Sequence, residues 1–253
     1  MRPVVGSLLL ALGVLAAGAE GGGSFRGLDA RGLCPADMTA VPGGAFLAGA
    51  EPDAIGIPDF VPDIPREPRA RQERTTSAFC IDTFEQPGAE RRPRADVTWI
   101  QARAACQSQG KRLCSEDEWT RACGGPLGWL RPYGDDFVPG LCHGDVQGEG
   151  RYDAILPAGG SPGCRSVEGV ADLEGSVSEW AEGTIEGPDP DTIMQTDGGG
   201  ESSWDGPQEF RLVLGGTMWP GVYGSGCQAR HGHPGLAPVS GDDGFRCCRD
   251  PEG

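Results

Sequence analysis

Apolar and polar positions along the chain form short bursts separated by long stretches without period. Apolar residues lie on both sides of Pro42-Gly43-Gly44, from Met38 to Phe46, and this spacing predicts a hairpin. Ser77-Ala78-Phe79-Cys80-Ile81-Asp82-Thr83-Phe84 reads as a strand, and Phe210-Arg211-Leu212-Val213-Leu214-Gly215-Gly216 as another. The helical period occurs twice. Trp99 to Cys106 is a helix that Asp96 or Thr98 can cap and that stops at Gly110, and Ser115 with Glu118 forms a capping box opening a second helix with Trp119, Ala122 and Cys123 on one face. Residues 51 to 76 carry five prolines and many charges and read as a surface insertion. Residues 186 to 209 form a second insertion, acidic and glycine-rich. Beyond Gly124-Gly125 no long periodic segment remains, and no repeat or second core is visible.

Composition turns this sparse pattern into a fold class. Gly 43 and Pro 22 make up more than a quarter of the 253 residues, which without a collagen-like period means disorder or a loop-rich fold. Ten cysteines, six tryptophans and 38% hydrophobic residues favour the second. Arg2, the apolar run Val4 to Ala17 and the small-x-small sequence Ala17-Gly18-Ala19 have the form of a secretory signal peptide spanning 1–19. An uncleaved anchor helix is the competing reading, and the run is short for a membrane span. Residues 20–32 resemble a flexible linker, leaving one domain over 33–250. Export, secreted or periplasmic, places the even cysteine count in an oxidising compartment and makes disulfides the expected use. Without residues 1–19 the chain has 20 basic against 37 acidic residues, a net −17. That balance excludes nucleic acid and anionic lipid as natural partners, and no stretch after the signal predicts membrane insertion.

One stretch concentrates oxygen chemistry. In Gly169-Val-Ala-Asp-Leu-Glu-Gly-Ser-Val-Ser-Glu-Trp180, Asp172 and Glu179 bracket a turn at Gly175-Ser176, and Val170, Leu173, Val177 and Trp180 anchor it. Carboxylates at both ends of a glycine turn, with carbonyls available between them, suit a hard cation such as calcium. The same spacing is also that of a capped surface turn whose acids face water.

The ordered set Val41-Pro42-Gly43-Gly44-Ala45-Phe46, Cys80-Ile81-Asp82-Thr83-Phe84-Glu85, Gly110-Lys111-Arg112-Leu113-Cys114-Ser115-Glu116-Asp117-Glu118-Trp119, Tyr133-Gly134-Asp135, Gly169 to Trp180, Leu214-Gly215-Gly216-Thr217 and Gly244-Phe245-Arg246-Cys247 resembles the formylglycine-generating enzyme family, also called the sulfatase-modifying-factor domain. The resemblance covers nearly all of residues 34 to 249. It implies an α+β, C-type-lectin-like fold with little regular structure, stapled by disulfides. It also implies a structural calcium ion held by the side chains of Asp172 and Glu179 and the main-chain oxygens of Gly175 and Val177. His143 stands where the family usually has an Asn near Tyr133-Gly134-Asp135, which does not support a second calcium site.

The family oxidises a substrate cysteine with oxygen and copper(I) held by two thiolates, as suits a soft metal. Those cysteines follow the Gly-Gly-Ser segment closely, whereas after Gly215-Gly216 this chain has no cysteine until Cys227. The resemblance pairs Cys227 with Cys123 and Cys106 with Cys247. Neighbourhood then suggests, as a hypothesis, Cys34 with Cys80, Cys142 with Cys164, and Cys114 with Cys248, with other connectivities open. Copper is therefore not expected.

His231-Gly232-His233 with Asp242 or Asp243 could form a two-His, one-carboxylate set if extended, but glycines and Pro234 around it favour a polar loop. Two functional classes follow. One is a secreted, non-catalytic, calcium-stabilised module binding a protein or glycan. The other is an oxidoreductase with a rearranged site drawing on Thr217, Trp219, Tyr223 and His231. Ligand and oligomeric state are not encoded in any motif.

Overall fold

Four strands at the N-terminal end of the domain set its first surface. In the computed structural model, which describes residues 33–50, 71–143, 155–184, 210–216, 226–235 and 241–252, they are β1 (Met38–Val41), β2 (Gly44–Ala48), β3 (Gln72–Thr76) and β4 (Phe79–Asp82). The hairpin expected about Pro42-Gly43-Gly44 does not form. Instead β1 pairs with β4 and β2 with β3, and Met38 faces Asp82, Val41 faces Phe79, Gly44 faces Thr76 and Ala48 faces Gln72 in one unshifted register. Pro42 and Gly43 are thus a bend within a long antiparallel arm, where a Cβ on Gly43 would lie 2.6 Å from the Ala78 nitrogen. The segment expected to be wholly insertion contributes β3. Its sequence Gln-Glu-Arg-Thr-Thr has no apolar face, so alternation could not mark it, and it is held by pairing with β2 and by the Arg74–Asp117 ion pair to the segment 116–124. The remainder of that insertion, the expected signal peptide and linker, and the whole of the second insertion lie outside the described residues.

Both helices form where the capping signals place them. In α1 (Trp99–Gln107) the Thr98 hydroxyl accepts from the Gln101 N–H while the Gln101 side chain accepts from the Thr98 N–H, and in α2 (Glu116–Gly124) Ser115 and Glu118 do the same. Each reciprocal cap stabilises its helix by about 1 kcal/mol. α1 buries Trp99, Ala102 and Cys106, and α2 buries Trp119, Ala122 and Cys123. Two tryptophan donors fasten α1 to the strand β6 (Ser178–Thr184): Trp99 Nε1 donates to the Ala181 carbonyl at 2.9 Å, and Trp180 Nε1 to the Val97 carbonyl at 2.8 Å.

The remaining strands are β5 (Arg112–Leu113), β7 (Phe210–Gly215), β8 (Gly226–Pro234), β9 (Asp243–Phe245) and β10 (Cys247–Arg249). They complete two four-stranded sheets, ordered β1-β4-β10-β5 and β8-β7-β6-β9, with β6 and β9 parallel. One core, containing Phe79, Ile81, Trp119, Leu173, Leu212 and Leu214, joins α2 to both sheets. A second, containing Trp99, Leu113, Trp180, Val213 and Phe245, lies beneath α1.

All ten cysteines are paired, as Cys34–Cys80, Cys106–Cys247, Cys114–Cys248, Cys123–Cys227 and Cys142–Cys164, the set expected from resemblance and neighbourhood. Three of these close more than 100 residues of chain. A single closure of that length removes about 4–5 kcal/mol of chain entropy from the unfolded ensemble in the loop-entropy account.

Candidate functional site

The Gly169–Trp180 stretch is not a solvated turn. Asp172, Glu174, Ser176 and Glu179 are all buried. Gly175 and Ser176 both take positive φ, 75° and 62°, and Asp172 takes 56°, so the chain doubles back twice in a conformation that disfavours residues other than glycine. The turn is fastened by the Ser176 N–H donating to the His143 carbonyl at 2.6 Å and by Gly175 lying beside His143. His143 therefore contributes backbone support to this turn.

At its centre lies Arg246, fully buried, in the link between β9 and β10. Its Nε donates to Glu179 Oε2 and its Nη2 to Glu179 Oε1, both at 2.6 Å, a two-pronged charge-assisted pair. Trp119 Nε1 also donates to Glu179 Oε2 at 2.6 Å. The guanidinium further reaches the carbonyls of Asp82 at 3.2 Å and Ala171 at 2.9 Å. Asp172 Oδ2 accepts from the Gly159 N–H at 2.5 Å.

A third acid faces this group. Glu85, just beyond β4, is completely buried; the Ser176 hydroxyl donates weakly to its Oε2 at 3.4 Å, and its Oε1 has no hydrogen-bond partner. Burial first, then the charges of Glu179 and Asp172, push the Glu85 carboxyl well above the usual range, against the pull of Arg246 and Ser176. Burial also raises Asp172, opposed first by the Gly159 N–H. Burial works against the charge on Arg246, yet Glu179, Glu85 and Asp172 together keep its pKa above the ordinary arginine value. With every acid ionised, three carboxylates share one guanidinium. The sequence marked Asp172 and Glu179 but not Glu85 or Arg246, because an acid after a strand and an arginine beside Phe245 carry no local sign of convergence.

A calcium ion in this centre would meet few free oxygen donors, because both oxygens of Glu179 already accept from the Arg246 guanidinium. Glu179 retains one acceptor position on Oε1, Asp172 uses one oxygen, and Glu85 Oε1 is unengaged. Among the described residues no three His, Cys, Asp or Glu side chains converge to hold a metal. A calcium ion here would therefore rely on two carboxylates at most, together with carbonyl oxygens such as those of Gly175 and Val177, and water.

The two thiolates of the family's copper chemistry have no free cysteine to supply them here. Cys227 is bonded to Cys123, and no cysteine is left as a thiolate. Of the alternative oxidase residues, Thr217, Trp219 and Tyr223 lie outside the described residues, and the His231 backbone pairs with Val213. The His231–His233 segment is strand β8, not a polar loop: pairing with β7 supplies the order that its glycines and proline concealed. His233 is buried and its Nδ1 lies 2.7 Å from Asp243 Oδ2, while the Asp242 carbonyl accepts from the Ser178 N–H. His233 and Asp243 are thus brought together as a buried pair joining β8 to β9.

The family model described as "Sulfatase-modifying factor enzyme 1-like domain" matches residues 75–251. The chain belongs to this family. Within the sulfatase-modifying-factor family its relatives include the "Inactive C-alpha-formylglycine-generating enzyme 2" of Bos taurus, 33% identical over 108 residues covering 39% of this chain and 35% of the relative. The protein of the same name from Mus musculus is 32% identical over 103 residues, covering 37% and 33%. The match spans about a third of the length of these curated relatives. Among solved structures, CarF superposes with a TM-score of 0.57 at 18% identity over 86% of this chain and 99% of that one. PvdO from Pseudomonas aeruginosa superposes with a TM-score of 0.58 at 18% identity over 84% and 94%. Both show the family's mixed α+β fold, in which, among the described residues here, two short helices and small sheets are joined by five disulfides.

Proposed function

We propose that this protein is an exported, non-catalytic member of the sulfatase-modifying-factor family, a calcium-stabilised scaffold that binds a protein or glycan through its loops. The observation that carries this reading is the commitment of Cys227, the sole cysteine after Gly215-Gly216 and before the terminal pair, to a disulfide with Cys123. Copper(I) oxidation of a thiol requires soft ligands, and this chain has turned every thiolate into a staple. The relatives carrying the word "Inactive" in their names are consistent with it. Five disulfides suit an oxidising compartment, which supports export. The deciding experiment incubates copper-loaded, oxidised protein with a sulfatase-type cysteine peptide and oxygen and probes for aldehyde. No formylglycine is expected, and conversion above a metal-only control overturns the proposal.

A further inference from the structure

Cations elsewhere on this acidic chain are matched to acids. Arg74, Arg103, Arg112, Arg230 and Arg249 hold Asp117, Glu182, Glu118, Glu116 and Glu252, and Lys111 holds Asp37 and Asp82. The segment Glu90-Arg91-Arg92-Pro93-Arg94 departs from that pattern. Arg91, Arg92 and Arg94 are exposed, and none of them forms an ion pair among the described residues.

Their backbone is fixed to the fold. The Arg94 N–H donates to the Gln86 carbonyl at 2.7 Å, the Glu90 N–H to the Ala158 carbonyl at 2.9 Å, and the Ala158 N–H to the Arg91 carbonyl at 2.9 Å. Next to Ala158 is Gly159, where a Cβ would lie 2.8 Å from the Phe84 ring, and the Arg165 guanidinium sits over that same ring at 5.3 Å. A fourth arginine, distant in sequence, is thus brought beside the segment; it donates to the Gly169 carbonyl and offsets part of the buried Asp172 charge.

We propose that this face, Arg91, Arg92 and Arg94 with Arg165 beside them, binds a sulfated glycan. The inference rests on the binding-module reading above and names the ligand class that reading leaves open. Guanidinium forks match oxyanions through paired N–H bonds, and three of them within four residues repel one another until an anion is shared between them. Between residues 84 and 96 no large apolar side chain is exposed. A docked protein would need such an anchor at the centre of its interface, whereas a repeating oxyanion on a polar polymer needs only the charges. The net charge of −16 opposes any polyanion at a distance, but at physiological salt charges are screened beyond about 8 Å, so the arginines act at contact range and binding weakens steeply with salt.

The test uses the full oxidised chain with a fluorescently labelled heparin octasaccharide as probe, followed by anisotropy at low and at physiological salt. The triple variant Arg91→Ala, Arg92→Ala, Arg94→Ala should melt as wild type does, bind roughly tenfold or more weakly, and show a shallower salt dependence. The control triple Arg74→Ala, Arg103→Ala, Arg249→Ala removes the same charge from arginines that hold acids, and should bind within about twofold of wild type. Should the first triple melt low, Arg92→Ala alone serves, since its side chain makes no hydrogen bond, ion pair or ring contact, and it should bind about two- to threefold more weakly. The proposal is overturned if wild type does not bind the probe at low salt, if Arg92→Ala binds as wild type does, or if both triples lose affinity alike. It is equally overturned if desulfated heparin binds as well, or if a polyglutamate peptide competes as well, which would make the partner an acidic protein. The aldehyde assay fails separately: formylglycine formation overturns the non-catalytic reading without altering what these arginines bind, and absent heparin binding overturns the glycan surface whatever that assay gives.

Discussion

Replacing Arg246 by Met tests how far the buried centre holds the two sheets together. The guanidinium is fully buried, bonds both oxygens of Glu179 and spans carbonyls on the β4 end and the 171–172 turn. Met fills much of the same volume and supplies none of these donors. Glu179 would keep only the Trp119 indole donor in a dry site, and Glu85 and Asp172 would lose the guanidinium that offsets them. Breaking a buried pair by removing one partner costs about 3–5 kcal/mol. For a chain of this size each kcal/mol moves the melting temperature by about 2–4 °C, so a fall of roughly 6–20 °C is expected. The assay is thermal unfolding by circular dichroism of oxidised protein in chelator, so that added cation does not mask the loss. Arg246→Lys should fall between, keeping the charge but not the fork that matches a carboxylate. The double variant Glu179→Gln, Arg246→Met should recover part of the loss, because the stranded anion is gone. If Arg246→Met unfolds within about 1 kcal/mol of wild type, the size of an ordinary surface substitution, the centre does not carry the stability assigned to it.

Smaller perturbations test the scaffold at independent points. Ser115→Ala should destabilise by about 1 kcal/mol through loss of the α2 cap, measured by denaturant unfolding, whereas Ser115→Asp should not. Lys111, the single lysine, is buried between Asp37 and Asp82 at 2.7 Å from each, so amine-directed reagents should label it only after unfolding. The hydrogen bond from Lys111 is the main cause of the lowered Asp37 carboxyl, so this contribution is present above pH 3.8, the value of the unlinked group, and is lost as pH falls through the lower folded value. Asp37→Asn should flatten that acid limb of a stability profile, modestly, because Asp37 is largely exposed. His233→Ala should cost about 2 kcal/mol by leaving the Asp243 carboxylate buried without its ring partner.

The sequence made the helices legible because their evidence is local. Thr98 with Gln101 and Ser115 with Glu118 state where each helix begins within four residues. The strands were legible only where they were apolar on their own account, as at Phe79–Asp82 and Phe210–Gly215. Strand β3 has no apolar face, and β8 is written in glycine, histidine and arginine; both exist because an apolar neighbour, β2 or β7, offers a ladder. The hairpin about Pro42-Gly43 failed for the same reason, since turn chemistry is local but the choice of partner strand is not. In the candidate centre Asp172 and Glu179 share one short motif and could be read together. Glu85 and Arg246 come from strand ends some 160 positions apart, and only the pairing of β4 with β10 brings those ends side by side.

Cysteine usage ties the scaffold to the question of activity. A chain with 43 glycines among 253 residues carries a large chain entropy that short helices and strands of two to nine residues offset poorly. Cross-links are one remedy, and Cys106–Cys247 and Cys114–Cys248 fasten both α1 and the start of α2 to the C-terminal strand, next to Arg246. Cys123–Cys227 fastens the end of α2 to β8 directly after the segment where the family's copper ligands belong. A cysteine cannot be both staple and thiolate ligand, so the chemistry would need additional cysteines between Gly216 and Cys227, and the sequence there, Thr-Met-Trp-Pro-Gly-Val-Tyr-Gly-Ser-Gly, has none. Installing two cysteines in that segment is therefore the direct test of whether chemistry alone was lost. If the scaffold is intact, such a variant should gain copper(I) binding without disturbing the five disulfides, readable by thiol counting and metal analysis. Scrambling of Cys123–Cys227 on installing them would instead show that this part of the scaffold has diverged along with the ligands.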